Sequence, residues 1–270
     1  MDFDKIQALE FQIKLLKKRI SYLEDTLKDY LPFSIDKLLL LRGFKVIRKR
    51  ETFDLIEKRD QNLFYSLLKS YYFRRVLRDV LFIKKIGEKE KELIQEKWGE
   101  VAKNYIAKIE TLGIIQKKNK FLVTQFSLGD MGAILEWFIG EYLHEELDLE
   151  TITNVKLKNL GPGGDIDVLA RIGTKLVMIE CKESPPNNIS VAELKSIFDR
   201  VNYFKPDSFI LLIDTTLSIK RNILDNINWI LHVESQRLKE GVYQVKNYYY
   251  ILTAKREILQ NLAFTINLIV

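Results

Sequence analysis

Asp165, Asp167, Glu180, Lys182 and Glu183 stand in or beside two apolar runs of one segment, GPGGDIDVLARIGTKLVMIECKES, Gly161 to Ser184. Burial makes charge expensive unless the charge is partnered, so charges in such runs ask for a chemical reason. In an extended strand, side chains two apart share a face. Asp165 then lies with Asp167, and Glu180 with Lys182, while Ile166, Val168, Ile179 and Cys181 point the other way. A hairpin folded at Gly173 superposes the charged faces, so that Asp167, Glu180 and Lys182 converge at the strand ends. Carboxylates held that close repel unless a cation neutralises them; otherwise one stays protonated. The chain has two histidines and one cysteine, which disfavours zinc and leaves Mg²⁺ or Mn²⁺ with oxygen ligands. A charged lysine does not ligate; its work is to orient or deprotonate an attacking water, or to neutralise a phosphorane. The chemistry these residue types suit is metal-assisted phosphodiester hydrolysis.

Asp167, followed after twelve residues by Glu180-Cys181-Lys182, resembles the D…(D/E)XK signature of the PD-(D/E)XK nuclease superfamily. The runs GDIDVLA and MIECKE are similar to those of its archaeal Holliday-junction resolvases and Mrr-type nucleases. The resemblance covers residues 129 to roughly 260 and is strongest over 132–183. It implies a restriction-endonuclease-like α/β core, Mg²⁺ or Mn²⁺ held by Asp167 and Glu180, and Lys182 assisting the nucleophile. It also implies a further acid from the preceding helix. In MGAILEWFIGEYL that acid is Glu136, four residues after Gly132, with Glu141 as the fallback. The metal aspartate of these relatives precedes an apolar pair, which selects Asp167 before Val168-Leu169. Asp165 is then an auxiliary acid or a turn residue.

The elements that must position these groups follow from periodicity. DMGAILEWFIGEYLHEEL reads as a helix, and TITNVKLK, DIDVLARI and KLVMIECKE as successive strands. Ser190 caps a helix, VAELKSIFDRVNYF, with Val191, Leu194, Phe198 and Val201 on one face. FILLID is a strand buried on both faces, SIKRNILDNIN a helix and WILHVES a further strand. The order α-β-β-β-α-β-α-β predicts a mixed sheet flanked by helices over 128–270.

Upstream, FRRVLRDVLFIKK, KEKELIQEK and VAKNYIAKIETLGII read as three helices, the last with Val101, Tyr105, Ile109 and Leu112 inward; GIIQ and FLVTQ read as short strands. The run IETLGIIQKKNKFLVT resembles the third-helix end and wing of a winged helix-turn-helix. That resemblance, over 73–127, implies Lys103, Asn104 and Lys108 on the groove-facing side of a helix, and Lys117, Lys118 and Lys120 near phosphates at the wing. Residues 33–72 form a linker or helical region to which no role is attached. Within 1–32, Ile6, Leu9, Ile13, Leu16, Ile20, Leu23, Leu27 and Tyr30 alternate steps of three and four until Pro32. This predicts a coiled-coil helix that makes a homodimer.

Charge agrees with a polyanionic partner. Residues 1–128 carry 28 Lys/Arg against 18 Asp/Glu, and residues 129–270 carry 15 against 19. No apolar run approaches the ~20 residues of a membrane span. The acidic start MDFDKIQALE lacks an apolar signal core, and the single cysteine fits a reducing cytoplasm. The expectation is a magnesium-dependent DNA endonuclease. A dimeric winged-helix DNA-binding protein with an inactive nuclease fold, and an RNA-directed nuclease of the same fold, use the same residues.

Overall fold

The structure, a computed structural model, describes Gln12, Leu16, Lys18, Arg19 and residues 34–50, 53–126, 129–158, 160–161 and 164–270. The four isolated residues are helical; the rest of the heptad segment, and with it the expected coiled coil, lies outside the described residues.

Ser34 caps α1 (Ile35–Leu41), accepting from Lys37 N–H at 3.3 Å. Strand β1 (Lys45–Arg50) follows, then a 3₁₀ turn and α2 (Gln61–Leu68). Three helices come next: α3 (Tyr71–Ile83), α4 (Glu88–Trp98) and α5 (Val101–Thr111). Strands β2 (Lys85–Ile86), β3 (Ile115–Lys118) and β4 (Phe121–Thr124) form a small antiparallel sheet of order β2-β4-β3 beside them. On α5 the inward residues are Ala102, Ile106 and Ile109; Val101, expected inward, is exposed. The stripe at 102, 106 and 109 takes the inner side, and Val101, one position before it, faces outward.

The larger sheet has eight strands in the order β1-β5-β6-β7-β8-β11-β10-β9. Helix α6 (Asp130–Glu145) leads into the antiparallel run β5 (Glu150–Lys158), β6 (Ile166–Ile172) and β7 (Lys175–Lys182). Helix α7 (Val191–Phe204), capped by the Ser190 hydroxyl on Glu193 N–H, crosses to β8 (Ser208–Ile213), which pairs parallel to β7. Every residue of β8 is buried, as its unbroken apolar run requires.

Beyond β8 the chain departs from the expected order. A π-helical turn and α8 (Asp225–Leu231) contain Trp229, Ile230 and Leu231, which were expected to begin the strand WILHVES. Ile223, Leu224, Ile227 and Leu231 recur at helical spacing, so the 3.6-residue period runs on until His232 takes a left-handed conformation (φ 53°). The strand comes later, as β9 (Gln236–Lys239), and continues into β10 (Val242–Lys246) and β11 (Tyr249–Thr253). Strand β11 inserts beside β8 in parallel, and α9 (Ile258–Ile269) ends the described fold.

Two cores flank the sheet. The first joins α2 to α6 and α9 with Val168, Ala170, Val177, Ile179 and Cys181 of one sheet face. It therefore draws on helices both before and after residues 127–128. The second joins α1, α7 and α8 with Leu169, Leu176, Met178 and Leu211 of the other face. A bidentate ion pair reinforces the first: Arg74 of α3 donates Nε and Nη2 to Asp214 at 2.8 Å each, and Nη1 to Leu68 O at 2.6 Å. Both side chains are almost fully buried, and Asp214 lies one residue past β8. No helix among the described residues is long and apolar enough to cross a membrane.

Candidate functional site

Asp167, Glu180 and Lys182 all belong to the β6–β7 hairpin, which turns at Gly173 (φ 58°) and pairs Val168 with Ile179. Alternation sorts β7 as the sequence reading expected. Val177, Ile179 and Cys181 enter the first core, and Leu176 and Met178 the second. Glu180 and Lys182 therefore face α7. Glu180 is 3% exposed and sits between two cations: Lys182 Nζ lies 3.0 Å from Oε1, and Arg200 of α7 pairs with Oε2. Lys182 is also 2.9 Å from Glu193 of α7. Burial alone would lower the Lys182 pKa, but Glu180 and Glu193 more than offset it and hold it above the ordinary lysine value.

Asp167 accepts the Cys181 N–H at 2.7 Å, a bond that ties β6 to β7. Among the described residues no cationic side chain lies within ion-pair distance of it. Burial, then the negative charge of Glu180 and of Glu136, pushes its pKa up to about 8. Glu136 comes from α6, on the opposite side of the sheet from α7. It bonds to Arg50 of β1 at 3.2 Å, and Arg50 also donates to Ala133 O at 2.8 Å. Burial raises the Glu136 pKa against the opposing pull of Arg50. Glu136, Asp167, Glu180 and Lys182 thus form one electrostatic neighbourhood at the ends of the strands, assembled from both layers of the fold.

Asp165 does not follow Asp167. It precedes β6 by one residue and pairs with Arg48 of β1, which also donates to Asn154 Oδ1 at 2.9 Å. The glycine directly before it has a definite task. Gly164 has φ 99°, and a Cβ there would collide with the Arg200 guanidinium, so the residue makes room for Glu180's partner as well as turning the chain. Glu183, the residue after Lys182, accepts from Arg78 Nε of α3 at 2.6 Å.

Among the described residues no group of three or more His, Cys, Asp or Glu side chains is arranged to hold a metal ion. Glu136 and Glu180 turn instead to Arg50 and Arg200. The donor set still suits a hard cation that uses one or two carboxylates and keeps its waters, because among the described residues the Asp167 carboxyl has no ion-pair partner. A cleft of about 590 Å³, lined by Arg50, Trp137, Glu141 and His144 among others, opens beside α6 and touches this neighbourhood through Arg50. Glu141, the fallback acid, lines that cleft.

Lys103, Asn104 and Lys108 are exposed on α5; Lys117 and Lys118 are exposed on β3, and Lys120 in the turn after Asn119 (φ 57°). Lys195 and Asp199 of α7 pair with each other at 2.8 Å on the surface, away from Glu180. Sequence reasoning missed Arg48, Arg50, Glu193 and Arg200. Arg200 had a signal, since it lies on α7 between Ile197 and Val201 of the apolar stripe.

No family model and no curated protein matches the chain. Several solved structures are similar, among them these two. Protein VC1899 from Vibrio cholerae aligns with a TM-score of 0.53 at 14% identity, over 87% of this chain and 61% of that one. Can2 from Sulfobacillus thermosulfidooxidans, solved in complex with cyclic tetra-adenylate, aligns with a TM-score of 0.49 at 15% identity, over 87% and 60%. The chain thus spans about three fifths of the length of either. What it shares with VC1899 is a fold, a mixed α/β architecture with a large sheet between helical layers.

Proposed function

We propose that this chain is a divalent-metal-dependent endonuclease that hydrolyses DNA phosphodiester bonds. The observation that carries the reading is the buried Asp167 carboxyl, without an ion-pair partner among the described residues, facing the charge of Glu180 and Glu136 beside a charged lysine. Asp167 and Glu180 would hold Mg²⁺ or Mn²⁺, with Glu136 completing the acid set. Such an ion lowers the pKa of bound water and stabilises charge on phosphoryl oxygens. Lys182, held protonated by Glu180 and Glu193, is unsuited to accept a proton from water. Its part is to orient the attacking water and offset negative charge on the phosphate. Glu193 and Arg200 fix Lys182 and Glu180 in place. The helices α3 to α5 with the β2-β4-β3 sheet follow the element order of a winged helix, and this reading gives their exposed lysines the docking of DNA. The heptad segment would dimerise the chain and bring two sites to opposite strands.

The test is cleavage of duplex, single-stranded and four-way-junction DNA with Mg²⁺ or Mn²⁺. Lys182→Ala is expected to lower the rate about 10²- to 10⁴-fold; equal cutting by wild type and variant would sink the assignment. A second reading, a DNA-binding protein with an inert site, draws on the guanidinium groups that already engage Glu136 and Glu180. It predicts a salt-sensitive footprint and no cleavage with any divalent ion.

A further inference from the structure

Strand β1 is the edge of the large sheet, and its pairing with β5 sets like charges against each other. Lys45 lies opposite Lys158, and Arg48 opposite Lys156. Directly opposed cations destabilise a sheet by roughly 0.2–1 kcal/mol per pair. One irregularity and the alternation of β5 aim them together. A register shift between Val46 and Arg48 keeps Lys45 and Arg48 on one face although they are three residues apart. On β5, Val155 and Leu157 point into the second core, so Lys156 and Lys158 face away from it, toward the side of the sheet that carries α6 and Glu136. Lys45, Lys156 and Lys158 are exposed, and none has an ion-pair partner among the described residues. Arg48 reaches from this row to Asp165 and Asn154, and Arg50 of the same strand to Glu136. A row of repelling cations therefore runs along the sheet edge and ends at the carboxylates.

We propose that Lys45, Lys156 and Lys158 form a track for the phosphate backbone of the DNA whose scissile bond enters the Glu136–Asp167–Glu180 site. The inference rests on the nuclease reading above and gives that site its substrate path. A polyanion turns the cross-strand repulsion into attraction, because each phosphate bound there is neutralised by a cation that has no acidic partner. The bulge places the row on the face from which α6 delivers Glu136, so a strand lying on it leads to that acid, on the α6 side of the site.

The experiment compares wild type with Lys45→Thr/Lys158→Thr, reading both thermal unfolding and anisotropy of a fluorescein-labelled DNA duplex, with EDTA present so that nothing is cut. Threonine suits a strand and removes the repulsion, so the melting temperature should rise or hold. Binding should weaken about tenfold or more at 0.1 M salt, and the slope of log affinity against log salt should flatten by about two. Stability gained with binding lost is a pairing that a purely structural role does not give. Unchanged affinity and slope in a folded variant would overturn the track. A Lys156→Thr/Lys158→Thr variant decides the same point if the first does not fold. If the wild type itself shows no salt-dependent binding, the nuclease reading falls together with the track; if only the variants match wild type, the track alone falls. Preference for an RNA duplex of the same sequence would overturn DNA as the occupant.

Discussion

Replacing Asp167 with asparagine removes one buried titratable group and keeps an acceptor for the Cys181 N–H, so the variant isolates the proton linkage of the site. The native pKa of about 8 lies above the ordinary 3.8, so the folded protein retains a proton that the unfolded chain releases. Its stabilising contribution is full below about pH 4, falls as pH rises, and is gone above about pH 8. Within that window one retained proton corresponds to about 1.4 kcal/mol per pH unit, or about 2.7 kcal/mol between pH 5 and pH 7. Whichever of the interacting carboxyls carries the proton, the group takes up one, so the slope survives their coupling. For a chain of this size the loss corresponds to roughly 5–10 °C in melting temperature. The assay is thermal unfolding by circular dichroism at pH 5, 6 and 7 with EDTA present. Wild type should lose stability relative to Asp167→Asn across the series, until the variant is the more stable at neutral pH. A gap between the two proteins that stays constant from pH 5 to pH 7 would refute the reasoning.

Two further outcomes follow from the buried guanidinium groups. Arg74→Met strands the Asp214 carboxylate and should cost about 3–5 kcal/mol in urea unfolding, whereas Arg74→Met with Asp214→Leu should recover most of that loss. Gly164→Ala must accommodate both a left-handed backbone and a collision with Arg200, while Gly173→Ala, with open space around it, meets only the backbone cost of about 1–2 kcal/mol. Gly164→Ala should therefore be the more destabilising in thermal melts, and equal effects would show that Arg200 does not need that space.

The carboxylates and lysine were legible because strand alternation is a local property. Glu180 and Lys182 are two residues apart, and no tertiary information is needed to put them on one face. Their counter-ions were not legible, because β1 joins β5 across more than a hundred residues and no local pattern fixes that register. Arg48 and Arg50 consequently lay in a segment without a role. The same limit explains Asp165, which shares period-two spacing with Asp167 yet precedes the regular part of β6 and turns to Arg48. Helix α8 shows a competition of periods. A short apolar run reads equally as strand or helix, and the residues before it, Ile223 and Ile227, decide for helix only when the window is widened. Arg74 and Arg200 each interrupt an apolar helical stripe, a signal that a charge is paired inside the fold.

The position of β11 bears on how the chain reaches this fold during synthesis. Strand β8, the sequence SFILLI, has β7 on one side, and its other side is closed only when Tyr249–Thr253 arrive, after the hairpin partners β9 and β10 have emerged. Until then a nascent chain presents an apolar strand with a free row of backbone donors and acceptors, the form of edge that other strands add to most readily. The last strand of the sheet to be made is thus the one that shields its most apolar strand from neighbouring chains on the ribosome.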